Sequence, residues 1–343
     1  VVIYDKVVNS AQELIITNYL SAKFGIDIGV SDIYPYQNSY SNDVAGIGRV
    51  NENNIHTKAQ SAGILAIGGA SDLEDGEFLL FGHDGASIDT WISTETPDSD
   101  PNTRRIEREW IVHIESPGDD VGSVSLSIDT TLLPPLPDEF LYYNVVVDAD
   151  DDFSTGAVSY GLIPAGDELV ANNVIVEEGS HITILAIKPY AYFSETSSSG
   201  LESDDHPGFD VELNYSISEE LNLNYLVKSG TATQGEDFSL NPGTITFEPG
   251  QRIQQILPLI IDDTLVEIPF ENFVVALRDP SSGVLLDPDS THDFTIIDDD
   301  LNITLSASDT TIGSCAGSNT ELFVDIEGQG PFTISWTPED DLT

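Results

Sequence analysis

Apolar residues recur at every second position in short runs, and each run ends in a turn or in acids. Leu223, Tyr225 and Val227 alternate with polar neighbours, as do Ile245 and Phe247, then Phe273, Val275 and Leu277, then Phe294 and Ile296. A period of two puts one face of a strand in a core and the other in water. Asn241-Pro242-Gly243 and Pro249-Gly250 bracket one short run as turns. About seven such strands between Tyr190 and Asp300 predict a β-sandwich.

Two of the runs end in carboxylates with no base beside them. His292–Ile297 runs into Asp298-Asp299-Asp300, and Leu257–Ile261 runs into Asp262-Asp263, with Glu267 and Glu271 close behind. If the two strand ends lie side by side, at least five carboxylates share a small volume. Like charges that close must take up protons, spread into water, or be neutralised by a cation. Several carboxylates with oxygen-only chemistry suit Ca²⁺, which takes about six to eight oxygens. A solvated acidic turn is the plainer alternative.

Acids outnumber bases 60 to 11 over 343 residues, a net charge of −49. Nucleic acid and anionic membrane surfaces are therefore poor partners. The segment Tyr190–Asp300 alone holds 22 acids against Lys228, Arg252 and Arg278. At 40% hydrophobic residues the composition is still that of a folded chain. No apolar run approaches the roughly 18 residues of a membrane span. The single cysteine, Cys315, cannot form a disulfide within the chain and reads as a buried thiol or as the partner of a cysteine elsewhere in a longer polypeptide. A start at Val1-Val2-Ile3-Tyr4, itself strand-like, and an end just after Ile334-Ser335-Trp336 suggest a piece of a longer polypeptide.

One helix is expected. Ser10 and Glu13 fit a capping box; Ala11, Ile15 and Tyr19 share a face, with Ile16, Leu20 and Phe24 on the next; Gly25 suits the left-handed residue beyond the end. From Ile26 to Pro189 the pattern is all-β, with strands at Ile64–Ile67, Phe78–Phe81, Arg108–Ile114, Ser123–Ile128, Leu141–Val147 and Ile182–Ile187. After Asp300 the strands restart at Ile303–Leu305, Leu322–Ile326 and Phe332–Trp336. The fold class is thus all-β, as tandem β-sandwiches with one short helix. The domains are 1–25 (a strand and the linking helix), 26–189, 190–300 and 301–343, the last being half of a further sandwich.

Asn224-Tyr225, Gly230–Phe238, Gly243–Gly250, Ile260–Asp263, Glu271-Asn272-Phe273 and Thr295–Asp300 follow one another in the order of a Calx-β domain, which the segment Tyr190–Asp300 resembles. The resemblance implies Ca²⁺ at one end of the sandwich, with Asp237, Asp262, Asp263, Glu267, Glu271, Asp298, Asp299 and Asp300 as ligands and Glu195 as the acid of the first strand. Thr264 stands where another acid is common, and Ile268-Pro269-Phe270 replaces an acidic stretch. Val2–Lys6, Tyr19–Ile26, Ala45–Arg49, Phe78–His83, Arg108-Glu109-Trp110 and Asp152–Gly156 resemble a region of large secreted Bacteroidetes surface proteins. There a concanavalin-like sandwich gives way to a β-rich domain of unassigned function. Cys315-Ala316-Gly317 and Gly330–Trp336 resemble the opening of a PKD-type, Ig-like repeat. The order is similar to that of adhesins exported by the type IX system, including those used in gliding.

These likenesses imply a non-catalytic, adhesive segment at the cell surface. Its partners would be an external surface or glycan and the neighbouring domains of its own chain. The alternative is a set of accessory modules of an exported carbohydrate-active enzyme, which a catalytic domain elsewhere in the polypeptide would reveal. No nucleophile elbow, phosphate loop or paired-histidine metal motif is present. Asp148–Asp152 fails the EF-hand pattern, with Phe153 at the glycine position and Ser159 at the bidentate glutamate position. Trp91 and Trp110 read as packing residues rather than sugar platforms. Asp129-Thr130-Thr131, Asp289-Ser290-Thr291 and Asp309-Thr310-Thr311 look like Bacteroidetes O-glycosylation sites.

Overall fold

Strand Glu77–His83 is buried along its whole length, which fixes the architecture of the first half. Phe78 and Leu80 point to one side, toward the helix, while Leu79 and Phe81 point to the other, into a sandwich core. A strand in the middle of three layers has no face left for water. This is a computed structural model that describes residues 7–116, 120–267, 270–281, 283–307, 321–328 and 332–335.

The large sheet of this unit has nine strands. Its main path runs Val158–Gly161, Tyr142–Asp148, His181–Ile187, Trp110–Glu115, Glu77–His83, Asn42–Asn51, Asn54–His56. A five-stranded sheet, Ile163–Ala165, Glu168–Val174, Val124–Ile128, Leu65–Gly68, Lys58–Ser61, faces it across Ile47, Ile67, Trp110, Leu126, Val145 and Ile182. Helix Ser10–Phe24 covers the outer face of the large sheet, setting Ala11, Ile15 and Ala22 on Val44, Phe78, Leu80 and Ile111. Its cap differs from the expected one. Asn9 Oδ1 accepts from Gln12 N at 2.9 Å and Gln12 Oε1 accepts from Asn9 N at 3.1 Å, so the box is Asn9/Gln12 rather than Ser10/Glu13. Gly25 ends the helix at φ 62°, as its left-handed role requires. Phe24 stays exposed.

The second unit is a sandwich of a four-stranded sheet (Ile253–Ile256, Phe209–Leu213, Tyr190–Phe193, Leu285–Leu286) and a five-stranded one (Ser197–Leu201, Thr291–Ile297, Glu271–Arg278, Leu221–Gly230, Gly243–Phe247). Phe193, Phe209, Val211, Leu223, Phe247, Phe273, Val275 and Phe294 fill the space between them. The alternating residues that define the sequence pattern are these core residues. A small third sheet pairs Phe238–Ser239 with Leu259–Ile260. There are eleven strands rather than about seven, because two- to five-residue pieces such as Leu285–Leu286 and Ser197–Leu201 are too short or too polar to show a period. Residues 190–201 change sheets: Tyr190–Phe193 lies in one, and Ser197–Leu201 pairs in parallel with Asp293–Ile297 in the other.

The apolar core of the second unit continues into the first through Tyr142, Val146, Phe153, Leu185 and Ile187. Beyond Asp300, Leu301–Ala307 and Leu322–Gly328 form an antiparallel hairpin. Residues 332–335 form no strand. Val1–Tyr4, Asp309-Thr310-Thr311, Cys315 and Trp336 lie outside the described residues. No helix among the described residues is long and apolar enough to cross a membrane.

Candidate metal centre

Five strand ends meet at one tip of the second sandwich. Thr291–Ile297 leads into Asp298, and its parallel neighbour Ser197–Leu201 leads into Glu202, whose N–H donates to Ile297 O at 3.1 Å. Glu271 opens the adjacent antiparallel strand, opposite Ile296. Asp237 immediately precedes Phe238–Ser239, and Asp262 and Asp263 follow its partner Leu259–Ile260, with Ile261 N donating to Asp237 O at 2.9 Å.

The carboxylates gather in two adjoining groups. Glu202 shares one with Asp262 and Asp299 and with Asp298 and Asp300; Asp237, Glu267 and Glu271 form the other, each set with oxygens within 4.8 Å of one another. Asp298 joins them: its Oδ2 accepts from Glu267 N, and its Oδ1 accepts from Asp300 N at 2.7 Å. Asp299 Oδ2 accepts from Ser203 Oγ at 2.6 Å, and Asp263 Oδ1 accepts from Leu265 N at 2.6 Å. Among the described residues no ion pair from a base reaches any of these acids.

The electrostatic cost is visible in the titration of the acids. Burial, then the charges of Asp298, Asp300, Asp263 and Asp299, push Glu202 up to about 7. Burial, then the hydrogen bond and charge of Asp237 and the charges of Glu267 and Glu236, push Glu271 up to about 7. Glu267 and Asp300 are raised as well, each by desolvation first and neighbouring carboxylates second. Glu202 is only 4% exposed, yet its Oε1 has no hydrogen-bond partner, and neither does Asp300 Oδ2. Buried carboxylate oxygens without donors, facing other carboxylates, are expensive unless a cation sits among them. The donor set is oxygen only, which fits a hard ion such as Ca²⁺ and not zinc, whose sites favour His and Cys.

Seven of the nine acids anticipated from sequence enter these groups, and Asp263 stands beside them as a charge acting on Glu202, Glu267 and Asp300. Glu195 does not. Its backbone O lies 2.6 Å from His292 Nδ1, at the start of the strand whose far end carries Asp298. At about 3.3 Å per residue this puts it about 20 Å from the tip. Parallel pairing is the reason: residues 197–201 must run the full strand before the chain reaches the acids, so the first-strand acid at the tip is Glu202. Ser197–Leu201 is too polar to show a period, so the only mark of this position in the sequence is its closeness to Asp204-Asp205. Ile268 and Pro269 lie outside the described residues.

The other candidates are structural. Trp110 is fully buried with Nε1 donating to Ser61 Oγ at 3.1 Å, and half-buried Trp91 donates to Pro135 O at 2.9 Å. No histidine among the described residues enters a possible metal group.

Residues 187–300 match the Calx-beta domain family, and residues 13–180 match a domain family of unknown function, DUF8202. Similar solved structures include the apo-form Calx CBD1 domain, at 30% identity over 33% of this chain and 98% of that one, with a TM-score of 0.31. The calcium binding domain CBD12 of CALX1.1 is 30% identical over 33% of this chain and 49% of that one, with a TM-score of 0.31. The Calx CBD2 domain is 16% identical over 31% of this chain and 85% of that one, with a TM-score of 0.28. No curated protein matches.

Proposed function

From the membership of residues 187–300 in the Calx-beta family we propose that this chain is a calcium-binding, non-catalytic segment of a secreted, multidomain surface adhesin. Ca²⁺ sits among Glu202, Asp262, Asp298, Asp299 and Asp300, with Asp237, Glu267 and Glu271 holding the adjoining position and Asp263 at its flank. The observation that carries this reading is the buried Glu202 Oε1, unpartnered among carboxylates. The ion neutralises the cluster and ties Asp298–Asp300 to Glu202 and Asp262, directly before Leu301 opens the next strand. Without it, like charges repel across that junction and the hairpin beyond Leu301 swings more freely. The surface and type IX setting rests on the likeness of the N-terminal blocks and of the tail, and the partner would be an external surface or glycan.

The test is calorimetric titration of the metal-free chain with Ca²⁺. Glu202→Gln should lower the bound ion count or weaken binding at least about tenfold. Glu195→Gln, at the opposite end of its strand, should leave the isotherm unchanged. Equal isotherms for Glu202→Gln and the parent would remove the proposed site.

A further inference from the structure

A polar concavity lies where the two units meet. It has a volume of about 420 Å³, inside the about 300–1,000 Å³ range of small-molecule sites, which favour domain boundaries. The first unit supplies the loop Pro97–Pro101; the second supplies Tyr190, Tyr192, Asn214, Tyr215 and Arg252. Tyr190 and Tyr192 are alternate residues of one strand, so both stand on its outer face while Ala191 and Phe193 enter the core. Their rings are 5.8 Å apart and tilted by 45°, a pair of aromatic surfaces side by side.

The walls are held in place from both sides. Asn214 Nδ2 donates to Asp100 Oδ2 at 3.2 Å, and Thr103 Oγ1 donates to Tyr215 OH at 3.1 Å. Arg252 Nε donates to Leu213 O at 3.1 Å, and Tyr192 OH donates to Glu212 Oε2 at 3.1 Å. The loop carries two non-glycine residues with left-handed backbone, Asp98 at φ 52° and Ser99 at φ 54°. Such conformations persist only where the surroundings impose them, and they gather at binding sites. Here Asp98 N donates to Ser154 O at 3.2 Å and Asp100 N to Pro97 O at 3.0 Å.

From this we infer that the cleft between the two units binds a neutral saccharide, with Tyr190 and Tyr192 as the stacking surface and Asp98, Asn214 and Arg252 as hydrogen-bonding groups. A sugar ring offers an apolar C–H face to an aromatic ring and a rim of hydroxyls that both donate and accept. This wall supplies the aromatic faces, carboxylate acceptors and guanidinium and amide donors together. The net charge of −49 repels uronic or sulfated polymers. Arg252 offsets one of the two wall carboxylates, Asp98 and Asp100, so the cleft itself carries little net charge. The inference deepens the adhesive reading by naming the ligand class, and it rests on that reading while using none of the acid cluster.

The experiment uses the whole 343-residue chain in calcium-containing buffer, screened against neutral cello-, manno-, xylo- and chito-oligosaccharides and against oligogalacturonate. Retained oligosaccharides are then titrated by calorimetry. The expected result is binding of at least one neutral series, weakened about tenfold or more by Tyr192→Ala and by Asp98→Asn, with the calcium isotherm of both variants unchanged. Retention of no neutral oligosaccharide, retention of oligogalacturonate alone, or affinities equal to the parent in both variants overturns it. An intact calcium isotherm beside absent sugar binding removes only this inference. A lost calcium isotherm beside retained sugar binding removes only the metal centre.

Discussion

Glu202 carries opposite signs in the two states of the tip. Without metal its charge is buried against Asp298 and Asp300, so replacing it with Gln relieves repulsion and should raise the melting temperature of the chelator-treated protein. With Ca²⁺ present the same change removes a ligand and should lower it. Thermal unfolding of parent and variant, each with and without chelator, checks the crossover. The pH dependence follows from the same group. Its folded pKa of about 7 lies above the ordinary value of 4.5. Between these limits the native state therefore holds more protons than the unfolded one, and metal-free stability falls as pH rises. Below about pH 4.5 the group costs nothing, and above about pH 7 its cost is complete. Glu271 acts in the same direction. The gap in melting temperature between calcium and chelator should widen as the pH is raised from about 5 to 8; a gap that narrows over this range contradicts the assignment.

At the scale of single elements, what the sequence disclosed and what it hid have separate causes. Strands with one wet face announce themselves, as Phe273–Leu277 and Phe294–Ile296 do. Asn42–Asn51 does not, although it spans ten residues of the large sheet. Its glycines look like turn residues, but they are there because neighbours press on the backbone: a Cβ on Gly48 would come 2.0 Å from the Phe78 ring. Gly48→Ala should therefore cost about 1–3 kcal/mol by overpacking, read as a drop in the chemical-denaturation midpoint. The helix was legible from its period and Gly25, and its cap was displaced by one residue because Asn9 and Ser10 are both good caps. Asn9 also donates to Ile55 O at 3.0 Å, tying the helix start to the sheet. Asn9→Ala should cost about 0.5–2 kcal/mol and Ser10→Ala far less; the reverse order would restore the Ser10 cap. The exchange of Glu195 for Glu202 has a third cause. Period-two reasoning finds a strand but does not tell which end of it a parallel neighbour brings to the acids.

Across the whole molecule, the all-β architecture and the acidic tip follow from alternation and charge, both written locally. The continuity of the two units does not. Leu185 and Ile187 read as ordinary strand residues, and only the fold shows that they extend the core of the second sandwich. That shared core holds the two units together, in keeping with the cleft between them serving as a built site. The stiffness of the other junction, at Asp300, depends instead on charge. Small-angle scattering should show a broader distribution of shapes after chelation, arising beyond Leu301; identical profiles in calcium and chelator would leave the junction stiff without metal. The most direct measurement of the central claim is the unfolding temperature of the metal-free chain as Ca²⁺ is added. The account predicts a saturable rise, reaching about 2.7 kcal/mol of stabilisation for each site when free Ca²⁺ is about 100 times its dissociation constant. A melting temperature that stays constant from chelator to millimolar Ca²⁺ would contradict it.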